Sequence, residues 1–89
     1  MSLSHINKHE AWMNITWQGQ NGDLTDPVSF TASDHQLKCW AAEAIRGRSV
    51  PGIHARGRIS LSDFIVDRFP ANRSNPYNRI MIRPKTPFG

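Results

Sequence analysis

Eighty-nine residues, 38% of them apolar and 20% charged, are enough for one packed domain; they exclude a wholly disordered chain and leave no room for two independent cores. The formal net charge of +4 is divided into −3 over residues 1–45 and +7 over residues 46–89, so the second half offers a basic surface to an acidic partner, protein or nucleic acid. One cysteine, Cys39, excludes an internal disulfide, and no stretch reaches the roughly 20 apolar residues of a membrane helix. With no apolar signal region in residues 1–12, the expectation is a soluble cytoplasmic protein without a membrane partner.

In chain order, residues 1–10 mix Ser, Asn, Lys and His without periodicity and read as a flexible leader. From residue 12 to 17, Asn14 and Thr16 alternate with Met13, Ile15 and Trp17, the period of a half-buried strand. Gly19, Asn21-Gly22-Asp23 and Asp26-Pro27 carry turn chemistry and predict a reversing loop over residues 18–26. Val28, Phe30 and Ala32 alternate with Ser29 and Thr31, so a second strand over residues 28–32 returns as a hairpin.

The spacing predicts a helix over residues 34–46. Ser33 with Gln36 fits a capping box, Asp34 suits the positive end of the helix dipole, and Gly47 supplies the stop. Leu37, Trp40, Ala41, Ala44 and Ile45 form one apolar stripe, with Trp40 expected as the central anchor on the hairpin.

Val50-Pro51-Gly52-Ile53 is a turn-forming linker and residues 54–58 a basic loop. Residues 59–69 read as extended with a bulge or short turn near Ser62-Asp63, because Ile59 and Leu61 share one parity while Phe64 and Val66 share the other. A loop over residues 70–76 leads to a last strand over residues 77–83 with Ile80 and Ile82 on one face; Pro84 and Pro87 end the ladder. The expected fold class is α+β: strand, strand, helix, strand, strand, a mixed four-stranded sheet packed on one helix. Residues 11–84 form the single domain and residues 85–89 an extended tail.

Taken in order, Thr31-Ala32-Ser33-Asp34 before the helix, Pro51-Gly52-Ile53 after it, Leu61-Ser62-Asp63-Phe64, Arg79-Ile80-Met81-Ile82-Arg83 and the final glycine resemble ubiquitin and its β-grasp relatives, over residues 13–89. A diverged prokaryotic ubiquitin-like protein is the closer likeness, since the chain ends Pro87-Phe88-Gly89 with one glycine where ubiquitin has a pair. The resemblance implies a β-grasp-like ββαββ fold and a modifier or docking module that is no enzyme itself and takes no cofactor. It implies an adenylating partner that activates the Gly89 carboxylate, a partner cysteine that takes it as a thioester, and a conjugation target, with Phe88, Lys85 and Arg83 as docking contacts. Glycine suits that role because its backbone threads a narrow site where a Cβ would clash.

A different reading rests on the arginines. Arg46, Arg48, Arg56, Arg58, Arg68, Arg73 and Arg79, with Arg83, form a basic partner-binding surface able to grip phosphates, while Tyr77 and Phe88 could stack on bases; the alternative is therefore a small basic nucleic-acid-binding or phage-type accessory protein. A solvated basic face explains the same residues without any ligand. His5, His9 and Glu10 lack further metal ligands, and His35 and His54 read as surface residues. Cys39, on the helix beside the apolar stripe, reads as a partly buried, inert thiol. Asp63 and Asp67 read as surface charges, and Trp12, Trp17 and Trp40 as the packing mass of the core.

Overall fold

The computed structural model describes residues 7–85. Six elements follow one another: β1 (Glu10–Trp17), β2 (Gln20–Asp23), β3 (Val28–Ser29), α1 (Asp34–Arg46), β4 (Phe64–Phe69) and β5 (Asn78–Pro84). They build an α+β fold in which one helix covers a mixed sheet of five strands, not four, in the order β2-β1-β5-β4, with β3 also on β1. β1 and β5 are parallel and central; the other pairings are antiparallel.

The extra strand lies inside the segment read as a loop. Gln18 and Gly19 both take positive φ, 47° and 76°, which is the two-residue turn whose twist matches a hairpin, so β2 pairs with β1 at once. Gly22 belongs to β2 rather than to a turn: a Cβ there would collide with the Pro51 carbonyl, so a strand glycine marks a close backbone approach. Pro51 and Gly52, φ +95°, sit in a turn closed by Ile53 N–H donating to the Val50 carbonyl at 3.1 Å. Between the pairs Asn14↔Asp23 and Ala11↔Val28 β1 runs three residues while the return strand runs five, so Pro27 and its neighbours bulge out. The expected strand over residues 28–32 shortens to Val28–Ser29. Beyond it the Phe30 and Ala32 carbonyls accept from the Arg68 guanidinium at 2.7 and 2.8 Å, which takes them away from any ladder.

α1 spans the predicted residues. Ser33 Oγ accepts from Gln36 N–H at 3.1 Å, half of the capping box; the reciprocal bond from the Gln36 side chain is not formed among the described residues. At the other end Gly47 is not the left-handed residue, with φ −78°; Arg48 is, at φ 55°. Arg48 N–H donates to Ile45 O and Ser49 N–H to Ala44 O, the paired bonds of a Schellman ending with arginine where glycine is the relaxed choice. Leu37, Ala41, Ala42 and Ile45 are the buried helix residues. Trp40 is half-buried and packs against the core edge, so Leu37 and Ile45 are the anchors instead.

The core lies between α1 and the odd-numbered face of β1. Met13, Ile15, Leu37, Ile45, Ile80 and Ile82 are fully buried, joined by Val50, Ile53, Ile59 and Leu61 from the long connection. That connection turns at residues 61–64, as the parity break predicts, with Phe64 N–H donating to Leu61 O at 3.0 Å. Residues 7–10, read as leader, are tied down: Glu10 opens β1, and Phe30 N–H donates to the His9 carbonyl. Asn78, 8% exposed, joins three segments, its amide donating to the Lys8 and Glu10 carbonyls at 2.9 and 3.0 Å and its oxygen accepting from Ala71 N–H at 2.8 Å.

Asn78→Ala strands two carbonyls and one N–H in that junction and lowers unfolding free energy by about 1–3 kcal/mol in a denaturant titration. Arg48→Gly relaxes the left-handed residue and raises unfolding free energy in the same titration by about 0.5–1 kcal/mol; a fall would show that the arginine makes compensating contacts.

Candidate functional site

Three surfaces gather the chemistry. The first is the base of the tail. Gly89 and Phe88 lie outside the described residues, as do Met1 and the five residues after it. Lys85 follows β5 and borders a shallow groove with Ser62, Asp63, Phe64 and Ile65. Pro84 pairs with Phe64, whose ring stacks on Trp17 with centroids 5.8 Å apart. Trp17 is the core tryptophan, 5% exposed, and among the described residues its indole Nε1 finds no hydrogen-bond partner. Arg83 faces sideways, its Nε donating to Asp67 Oδ2 at 2.8 Å across the β4–β5 ladder. Asp67 is therefore engaged, and Asp63 stands apart in the preceding turn.

The second is the basic set, which the fold divides. Arg46 closes α1, and Arg48 follows the cap and lines a small depression with His54, Ala55 and Arg56. His54 is held by Gln20, whose side chain accepts from the His54 N–H at 2.7 Å and donates to its carbonyl at 3.1 Å, so the loop over residues 54–58 is pinned to β2. Arg58 continues that loop, exposed. Arg73 is exposed in the loop between β4 and β5, and Arg79 lies on the outer sheet face. Arg68 does not belong to a partner-binding surface: besides the Phe30 and Ala32 carbonyls it binds Asp34 Oδ1 at 2.7 Å, locking β4 to the start of α1. A buried-side arginine satisfied by three oxygens is a structural tie.

The third is the face of the sheet that α1 leaves open. Glu10, Trp12, Asn14 and Thr16 of β1 share it with Arg79, Met81 and Arg83 of β5 and Ile65, Asp67 and Phe69 of β4. Trp12 stands beside Arg79, and Arg79 beside Phe69, in one row across three strands. The Arg79 guanidinium sits 5.2 Å from the Phe69 ring centroid, a cation–π contact. Phe69, 37% exposed, is the large apolar side chain most open to solvent among the described residues. Next to the row, Asn14 donates to Asn21 Oδ1 and Asp23 Oδ1, and Asn21 donates to Asn14 Oδ1 and Thr16 Oγ1, a polar ladder that stiffens the face. Trp12 is thus not core mass. Its parity, shared with Asn14 and Thr16 and opposite to Met13 and Trp17, already placed it outside.

A groove of about 270 Å³ runs between α1 and residues 59–62. Cys39 lines it and is exposed, not partly buried, with Sγ 3.6 Å from His35 Nε2 one helical turn earlier. Helical i, i+4 spacing explains the meeting, and among the described residues no carboxylate orients the imidazole as a catalytic pair requires. Lys38 closes one side by donating to the Ser62 carbonyl at 3.1 Å.

The expected outcome of thiol labelling is that Cys39 reacts in native protein without denaturant; protection lifted only by denaturant would return it to the interior. Comparison with models of known protein families, with curated proteins and with solved structures finds no match to this chain.

Proposed function

We propose that this chain is a β-grasp-like, ubiquitin-like module that works through protein contacts and presents its C-terminal tail to a partner. The observation that carries the reading is the placement of β5: it is a central strand, parallel to β1, and leads at Lys85 directly into the tail beside an open groove. A tail rooted in the middle of a sheet is held firmly at its base, so a partner can pull it straight without unravelling an edge. The Arg83–Asp67 pair and the Phe64–Trp17 stack brace that base.

On this reading the chemistry belongs to the partners. The Gly89 carboxylate attacks the α-phosphate of ATP on an adenylating enzyme, pyrophosphate leaves, and a partner thiolate then displaces AMP to give a thioester. Lys85 and Phe88 are docking contacts for the partner, and Arg83 contributes rigidity more than contact. A reducing compartment suits the free thiol of Cys39. No helix among the described residues is long and apolar enough to cross a membrane.

The test compares the tagged chain with a Gly89-deleted version in its source cell by intact mass and immunoblot. Higher-mass adducts that depend on Gly89 are the expected result; identical, unconjugated species for both versions would end the modifier role.

A further inference from the structure

The open sheet face has a composition that the tail does not use. Its centre is the row Trp12, Arg79, Phe69, one side chain from each of three adjacent strands. Strands lie about 4.8 Å apart, which sets the two rings about 10 Å from each other with a guanidinium between them. Arg79 has no carboxylate partner among the described residues, whereas Arg83 on the same face is neutralised by Asp67. The row therefore carries a net positive charge flanked by flat aromatic surfaces. Two more cations stand at the end where β5 begins: Lys8, whose carbonyl is tied to Asn78, and Arg73 in the loop leading there. A depression of about 370 Å³ opens beside Trp12, lined by Asn14, Asn21, Asp23, Arg79 and Met81. The amides of Asn14 and Asn21 are spent on each other, but Asp23 keeps one carboxylate oxygen outside the ladder, an acceptor for an exocyclic amine.

We infer that this face binds single-stranded nucleic acid, with bases stacked on Trp12 and Phe69 and a phosphate on Arg79. Stacking on aromatic side chains combined with cationic tracking of the backbone is how proteins hold single strands without reading a duplex groove. The row decides the class of partner: a guanidinium without a carboxylate partner among the described residues, set between two rings, suits a phosphate between stacked bases, and because Glu10, Asp23 and Asp67 also stand on this face the choice rests on stacking more than on net charge. The residues differ from those singled out on sequence alone, since Tyr77 is half-buried beside the loop over residues 70–76 and Arg68 is consumed internally. The face is separate from the tail, so the inference stands or falls independently of conjugation through Gly89.

The experiment is fluorescence anisotropy of the full 89-residue chain with labelled single-stranded DNA and RNA of about ten nucleotides, within the usual footprint of such surfaces. The matching duplex and polyglutamate serve as charge-only controls. Saturable single-strand binding is expected, with the DNA and RNA arms telling which sugar is preferred. Trp12→Ala and Phe69→Ala each weaken it by roughly 5- to 150-fold, Trp12→Phe restores most of the loss, and Arg79→Gln lowers the salt dependence by about one phosphate. Circular dichroism of each variant checks that the fold is kept, as expected for side chains on the solvent face. Absence of saturable binding at low salt overturns the inference. So do aromatic variants that are folded and bind like the wild type, or duplex or polyglutamate bound as tightly as the single strand.

Discussion

β1 and β5 lie side by side and parallel, so Met13 sits beside Ile80 and Ile15 beside Ile82, all four buried under α1. This pairing joins the first and last strands of the fold, and every other element is arranged to make it possible. Parallel neighbours cannot be linked by a tight turn, and the intervening chain is spent on α1 and the long connection that together roof the core. The register admits no slip: moving β5 by one residue would put Arg79 and Met81 under the helix and Ile80 and Ile82 in water. Asn78 holds the same register by hydrogen bonds, since its three partners come from the approach to β1 and from the loop after β4.

The roof and the open face obey different rules. Under α1 the side chains are mostly aliphatic, with Trp17 the aromatic exception whose Nε1 finds no partner among the described residues, and Arg68, which approaches from β4, is consumed by two carbonyls and Asp34. Outside, side chains meet in ladders and pairs: Asn14 with Asn21, Arg83 with Asp67, Arg79 with Phe69. These contacts add rigidity at small energetic gain, because exposed pairs are screened by water.

Much of this was legible from local chemistry. The helix declared itself through Ser33 and its apolar stripe, β1 through strict alternation, and the turn at residues 61–64 through a parity break. What failed depended on long-range contact. Asn21-Gly22-Asp23 has turn composition, yet Gly22 is in a strand because the Pro51 carbonyl, distant in sequence, needs the space. Phe30 and Ala32 alternate like strand residues, yet Arg68 claims their carbonyls from across the fold. Arg68 looked like its neighbours in a basic list because a list carries no distances. The Trp12–Arg79–Phe69 row was half visible: the parity of Trp12 was in plain view, but no local pattern places residue 12 beside residue 79 and residue 79 beside residue 69.

The central position of β5 also bears on how the chain survives its own synthesis. The elements are made in order, and the strand that completes the middle of the sheet comes after all the others. Until residues 78–84 exist, β1 presents an unpaired edge with Met13 and Ile15 on one side of it, and β4 has no neighbour at all. The nascent chain is thus a hairpin and a helix around a missing plank, with sticky edges that invite chaperones or foreign strands. Closure of the sheet waits for residues 78–84, and a chain cut short before β5 lacks the pairings with both β1 and β4 that this strand supplies.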